Sequence, residues 1–186
     1  ISDRSLKSFV EQNKPALGAR EPIITHFAGS IGTFTVENLT VHAAHPLTTL
    51  TGVTDSATLD SFAKTPFILD RGGPDLATLM PGFTNPVHRI DSHARAYYHS
   101  LCAMAGNFSV LLWETVANRF ESELALPVSD DVLAAYREQI FRNLNRVRPA
   151  KEASVLTGPL VRHDTATLTA HREALADRDE KNLLKI

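Results

Sequence analysis

The sequence predicts an α/β fold in two joined lobes. About four short strands, parallel or mixed in pairing, fill residues 1–90, and an all-α lobe built on one long central helix fills residues 91–186. Three observations predict it. Up to residue 90, short β-branched or apolar runs are closed by Gly, Pro and Ser clusters and separated by long connections. After residue 91 the apolar residues recur with a helical period. Between the two patterns lies Ser92–Phe120, with no proline and a single glycine, Gly106.

Ser2 or Asp3 can cap a first short helix whose apolar residues Leu6, Phe9 and Val10 share one face, and Pro15 is expected to end or bend it. Strands follow at Pro22–Phe27, Leu39–Ala44, Pro66–Leu69 and Val87–Ile90, with a helical turn or two over Asp75–Met80 before Pro81-Gly82. No tight hairpin signal such as Asn-Gly joins any two strands, which favours at least one crossover.

Ser92 is placed to cap the central helix. A helix over Ser92–Phe120 would be roughly 40 Å long. Its run from Leu101 to Ala117 is apolar nearly all round, the mark of a helix enclosed by other elements. The interruptions are Arg95, His99, Gly106, Asn107 and Glu114. His99 and Asn107 project within about 80° of each other, with the small Ala103 between them. Such a pair is either a site or two satisfied core polar groups. A second helix is predicted from Ser129 to Pro149, with the stripe Val132, Leu133, Tyr136, Ile140, Leu144 and Val147. Residues 150–157 add a turn before Gly158-Pro159, Asp164 caps a last helix through Leu168, His171 and Leu175, and Ala176–Ile186 is a charged end.

A chain of 186 residues can bury roughly 70% of its unfolded surface. Its 43% apolar and 22% charged residues are those of an ordinary globular protein. A formal net charge of −2 gives no electrostatic reason to bind nucleic acid or an anionic membrane. Arg137, Arg142, Arg146 and Arg148 are the only basic concentration, a solvated face in which Glu138 supports Arg142. Cys102 is the only cysteine and is expected to be a buried, inert thiol. With no apolar leader at ISDRSLKSF, this fits a reducing, cytoplasmic setting. The Leu101–Ala117 run, broken by Gly, Asn, Ser and Glu, is expected to be too short and polar to cross a bilayer.

Three loops fall at strand ends: His26–Ser30, His42–Pro46 and Gly72-Gly73. Ligands bind beyond the carboxyl ends of parallel strands, and imidazole titrates near neutrality, so His26, His45 and His99 are the candidates for proton transfer. The competing reading for each is a hydrogen-bonded structural histidine. His42-x-x-His45 with His26 would make a three-imidazole metal site only if the backbone bent between His42 and His45, and no Asp, Glu or Cys accompanies them. Ser30, in A-G-S-I-G, lacks the nucleophile-elbow spacing, and neither G-x-G-x-x-G nor a Walker A sequence occurs. The Gly158-Pro159 break presents Arg162 on a fixed loop, where it can clamp a carboxylate or phosphate or pair with a surface acid.

HFAGSIG, AHPLTTL, Ala96-Tyr97-Tyr98-His99 leading to Asn107, and LTGPLVRHD occur in that order. Together they resemble the later part of Rossmann-like proteins of unassigned function, relatives of the 6-phosphogluconate dehydrogenase C-terminal-like and β-hydroxyacid dehydrogenase superfamily. The resemblance covers nearly the whole chain. It implies half a Rossmann sheet followed by a helical dimerisation and substrate lobe, with the dinucleotide-binding N-terminal half absent. It implies hydride transfer between NAD or NADP and a small hydroxy or keto acid, with weak cofactor binding by the chain as it stands. Relatives place a lysine and an asparagine on the long helix; no lysine lies between Ser92 and Phe120, so His99 would be the acid/base and Asn107 would orient substrate. Gly29, Ser30 and Pro46 would lie at the cofactor, and His45 and Arg162 at the substrate, Arg162 near its anionic end. A homo-oligomer, most simply a dimer, is expected through the bare sheet edge and the helical lobe. The alternatives are a non-catalytic dimerisation or ligand-binding module and a histidine-based metal enzyme.

Overall fold

The computed structural model describes residues 2–18, 22–49, 56–126, 130–147 and 156–176. The chain forms two compact units, Ile1–Thr115 and Val116–Ile186. The first opens with helix α1 (Asp3–Gly18), followed by strands β1 (Ile24–His26), β2 (Phe34–Val36) and β3 (Leu39–Pro46). Helix α2 (Ser56–Ala63), β4 (Phe67–Asp70), the single turn α3 (Leu76–Leu79) and β5 (Val87–Ile90) follow. From Ser92 the chain stays helical to Leu124: a 3₁₀ turn (Ser92–Ala94), α4 (Arg95–Ala103), a π turn (Met104–Phe108) and α5 (Ser109–Leu124).

The five strands form a mixed sheet in the order β1-β3-β4-β5, with β2 also on β3. β1 is parallel to β3, pairing Ile24 with Val41 and His26 with Ala43. β4 runs antiparallel to β3, with His45 opposite Ile68, and β5 is parallel to β4. The four predicted strands are present, and the pairing is mixed. The additional strand, β2, forms a hairpin with β3 through Glu37-Asn38. Its turn uses a positive φ of 53° at Glu37 instead of an Asn-Gly pair, and Glu37 is ion-paired with Lys14 of α1.

Two apolar clusters hold the sheet. Val10 of α1 packs on Val36 and Val41, with Leu17, Ile24 and Phe34 at the margin. Ala44, Phe67 and Leu69 pack with Leu76 and Leu79, and Phe62, Phe67 and Phe83 meet edge to face at centroid distances of 6.0–6.5 Å. All four residues of β4 are buried, as a strand between two neighbours requires. Pro15 lies inside α1, which continues to Gly18. Proline removes one amide and crowds the carbonyl four residues back, and three further residues complete the helix beyond it.

Asp70, at the end of β4, is the polar centre of this unit. Arg95 Nε donates to Asp70 Oδ1 at 2.6 Å and its Nη2 to the Ile68 carbonyl at 2.9 Å. Asp70 Oδ2 accepts from the Thr33 amide at 2.5 Å and the Ser92 hydroxyl at 3.0 Å. The Ser92 hydroxyl is thus bonded to the sheet and makes no cap bond; the 3₁₀ turn starts from Asp91 without a side-chain cap. The Arg95 and Asp70 side chains are only 1% and 6% exposed, so this pair fastens the long helix to the sheet.

Beyond Arg95 the helix is not enclosed, contrary to the expectation from its composition. Leu101, Met104, Val110 and Leu112 are 45%, 57%, 59% and 53% exposed. Nor is it short: Ser92–Leu124 is 33 residues of helix with a window of mean hydropathy 1.2, long and apolar enough on those counts to cross a membrane. Its first turns, however, are ion-paired and hydrogen-bonded into the sheet through Arg95 and Tyr98.

In the second unit α6 (Asp130–Leu144) buries Leu133 and leaves Tyr136 and Leu144 exposed. Glu138 pairs with Arg142 at 2.7 Å, as the i,i+4 spacing predicts. α7 (Thr165–Ala176) starts where expected: Asp164 accepts from the Thr167 amide at 3.1 Å and its hydroxyl at 2.8 Å. The predicted cap Ser129, the stop at Pro149, residues 150–155 and the tail 177–186 lie outside the described residues.

Asp70→Ala should cost about 3–5 kcal/mol in urea unfolding, because it strands a buried guanidinium, while a double replacement of Asp70 and Arg95 by apolar residues should recover much of the loss. Burial opposes ionisation of Asp70, but the Thr33 amide and Arg95 outweigh it and hold its pKa below the usual carboxylate value. Its stabilising contribution is therefore complete above roughly pH 4 and lost as pH falls through the depressed folded pKa, a component of acid unfolding absent in Asp70→Asn.

Candidate functional site

The parallel pair β1 and β3 brings two of the three predicted loops together. Both strands point their carboxyl ends the same way, so Phe27–Ser30 and His45-Pro46 lie at one end of the sheet. The third loop does not join them. β4 runs against β3, so Gly72-Gly73 emerges at the opposite end. Arg89 holds it there, donating to the carbonyls of Asp70, Gly73 and Pro74 and to Asp75 Oδ1.

The helix then supplies the second wall. Arg95 is bonded to Ile68, and His45 is the residue paired with Ile68 across the sheet. One helical turn past Arg95, at i+3 and i+4, Tyr98 and His99 therefore arrive beside His45. Tyr98 Oη lies 2.8 Å from His45 Nδ1, and the two rings stand edge to face. The His99 ring lies 5.7 Å from that of His45 at 89°. At i+7, Cys102 lies beside Tyr98 and is half-buried, more accessible than the sealed thiol the sequence suggested.

Gly29 forms the floor. A β-carbon there would sit 2.9 Å from His45 Nε2, 2.9 Å from His99 Nε2 and 2.3 Å from His99 Cδ2. The two Nε2 atoms therefore converge on one point above the Gly29 backbone. Ser30, beside it, donates from its hydroxyl to Asp3 Oδ2 at 2.7 Å. A separate cleft of about 440 Å³ between α1 and the sheet is lined by Asp3, Val10, His26, Phe27 and Ala28, and neither His45 nor His99 lines it.

Burial lowers the His45 pKa to about 4, assisted by His99 and Arg95, so this imidazole is neutral at pH 7. Burial also raises that of the Tyr98 phenol, with the Cys102 thiol adding to it, so the hydroxyl keeps its proton. His26 is buried, its Nε2 lies 3.3 Å from the Gly32 carbonyl, its Nδ1 has no partner among the described residues, and burial lowers its pKa. β3 stays extended through His42 and His45, so a separation of three turns them to opposite faces. No three metal-ligating side chains gather among the described residues, which leaves the three-imidazole alternative without geometric support.

Asn107 stands exposed on the π turn. A π turn fits one more residue into a turn, so the angle between the His99 and Asn107 positions is smaller than in a regular helix. Gly106 lies against the loop after Pro46, where its β-carbon would be 3.4 Å from the Thr49 methyl. Arg162 belongs to the second unit, exposed on the Gly158–Asp164 turn, with its amide bonded to the Gly158 carbonyl. Sequence reasoning assigned no role to Tyr98 or Asp70. The readable signal was the stripe Arg95, Tyr98, His99, Cys102 at i, i+3, i+4, i+7.

Residues 71–186 match the family described as Domain of unknown function (DUF2520). The chain belongs to this family. No curated protein matches it. Among solved structures it is similar to a Bacteroides fragilis protein named as a candidate NADP oxidoreductase, with a TM-score of 0.71 and 22% identity over 98% of this chain and 68% of that one. It is also similar to protein TM1727 of Thermotoga maritima, with a TM-score of 0.66 and 18% identity over 99% and 71%. The family member described here shares the fold of both: an open mixed sheet followed by a helical region on one long helix.

Gly29→Ala tests the convergence of the imidazoles. The added methyl must displace both rings, which should cost about 1–3 kcal/mol in thermal or urea unfolding and shift the His45 and His99 ring resonances, leaving that of the exposed His163 in place.

Proposed function

We propose that the chain is the later portion of an NAD(P)-dependent oxidoreductase acting on a small hydroxy or keto acid, with NADP the cofactor suggested by the name of the Bacteroides fragilis structure. The observation that carries this reading is the meeting of His45 and His99 over Gly29, at the carboxyl ends of two parallel strands. A nicotinamide cofactor supplies or accepts a hydride; an alcohol–ketone interconversion also needs a group that moves a proton at the same carbon's oxygen. His99 is given that role, acting at Nε2. His45, kept neutral, holds a substrate oxygen, and Asn107 orients the substrate.

In this reading Gly29, Ser30 and Pro46, beside the imidazole pair, meet the cofactor only at its ring end. Gly29 owes its lack of side chain to the two histidines, Ser30 is engaged by Asp3, and no glycine fingerprint is present for a pyrophosphate. In this reading residues 1–90 form the cofactor-side lobe and residues 91–186 the dimerisation and substrate lobe, in a cytoplasmic protein.

Turnover of NADPH or NADH with short 2-keto acids should fall roughly 10²–10⁴-fold in His99→Gln while nucleotide binding, read by fluorescence titration, is retained. Unchanged turnover would remove His99 from the mechanism. If neither nucleotide binds, with the chain alone or extended upstream, the oxidoreductase reading fails.

We also propose a homodimer through the exposed apolar side of the long helix. Leu101, Met104, Phe108 and Leu111, at i, i+3, i+7 and i+10, make an exposed stripe longer than a monomer ordinarily leaves in water, on a rod of roughly 50 Å. The non-catalytic dimerisation module draws support from the same stripe. Sedimentation should give a dimer mass, and Met104→Glu with Leu111→Glu should shift it towards monomer. A monomeric wild type would refute the dimer.

A further inference from the structure

We propose that Tyr98 is a positioning residue that holds His45 in the Nε2–H tautomer, placing the imidazole's hydrogen-bond donor on the side that packs against Gly29 and His99. Tyr98 Oη and His45 Nδ1 are 2.8 Å apart, so one donates and the other accepts. Two arrangements satisfy that distance. If Nδ1 carried the imidazole proton, Tyr98 would be the acceptor, and its hydroxyl proton would be left with no acceptor nearby but the Cys102 sulfur, a poor one. If Nδ1 is bare, the phenol donates into an imidazole lone pair, the stronger bond. The second arrangement uses the phenol and the imidazole each in its better role.

The surroundings keep the imidazole in the form this bond needs. His45 is faced by His99 and Arg95 from the helix, by Tyr98 with Cys102 behind it, and by Asp3 from α1. Arg95 is a permanent cation held by Asp70, and it disfavours a second positive charge on His45. A neutral His45 with a bare Nδ1 must carry its proton on Nε2. That atom faces the point 2.9 Å away where a Gly29 side chain would begin and on which His99 Nε2 also converges. His45 is thus a fixed donor and His99 the free partner beside it, a division of labour suited to holding an oxygen with one ring and moving a proton with the other. The catalytic use of this donor rests on the oxidoreductase reading above; the tautomer does not.

Long-range ¹H–¹⁵N NMR of the ligand-free chain reads the tautomer directly. The expected result for the wild type is a single neutral His45 form with a bare Nδ1, titrating near pH 4. In Tyr98→Phe the neutral form loses its donor, so the His45 titration should move upward and the tautomers should mix, while His26 and the unfolding midpoint change little. A protonated Nδ1 in the wild type overturns the proposal, whether or not the variant folds. So does a Tyr98→Phe protein whose His45 tautomer and titration are unchanged. Absence of nucleotide binding or turnover would bear on the oxidoreductase reading alone.

Discussion

The ion pair between Asp70 and Arg95 is the constraint on which the rest of the first unit depends. A guanidinium and a carboxylate removed from water incur a desolvation cost of several kcal/mol each, recovered only when the remaining donors and acceptors are filled. Asp70 meets that condition with three bonds from three segments: Thr33 after β1, Ser92 at the start of the helix, and Arg95 within it. Arg95 adds a bond to the backbone of the same strand, and its Nη1 has no partner among the described residues. Apolar contacts could hold a helix against this sheet at several rotations. The ion pair selects one, and that rotation places Tyr98 and His99 next to His45.

The electrostatics of the site follow from the same pair. Arg95 brings a permanent positive charge near His26, His45 and Tyr98. Together with burial it keeps His45 uncharged, so the imidazole can both donate and accept a hydrogen bond at pH 7. The sign for stability follows: His45 binds fewer protons folded than unfolded, so acidification from its ordinary range near pH 6.5 down towards pH 4 favours the unfolded chain. Asp70 acts in the same direction at lower pH, which makes this unit sensitive to acid in two successive steps.

Much of the fold was legible because it is local. Runs such as Val87–Ile90 and Pro66–Leu69, closed by turn residues, identify themselves as strands, and Asp164 announces the helix that follows it. β2 escaped because three residues carry no period and its turn hides in Glu37-Asn38, where nothing but a left-handed backbone marks it. The apolar run of the long helix was read as buried, since hydrocarbon on every side asks for cover; in the chain alone that cover is missing. The histidines were recognisable as residue types, but their convergence depends on a strand pairing 53 residues from Tyr98. Ser92 shows the same limit. Its hydroxyl had a local use as a cap and found a distant one in Asp70.

The π turn at Met104–Phe108 separates two duties within one continuous helix. Upstream, the winding is dictated by Arg95 and the sheet. Downstream, the greasy flank of α5 emerges at an azimuth that an uninterrupted α-helix would not give it. The surplus residue acts as a phase adjuster between a half that must register with the sheet and a half with no such obligation. The rotation of Arg95, Tyr98 and His99 on the sheet is therefore set upstream of the extra residue, and the direction of the exposed leucines downstream of it.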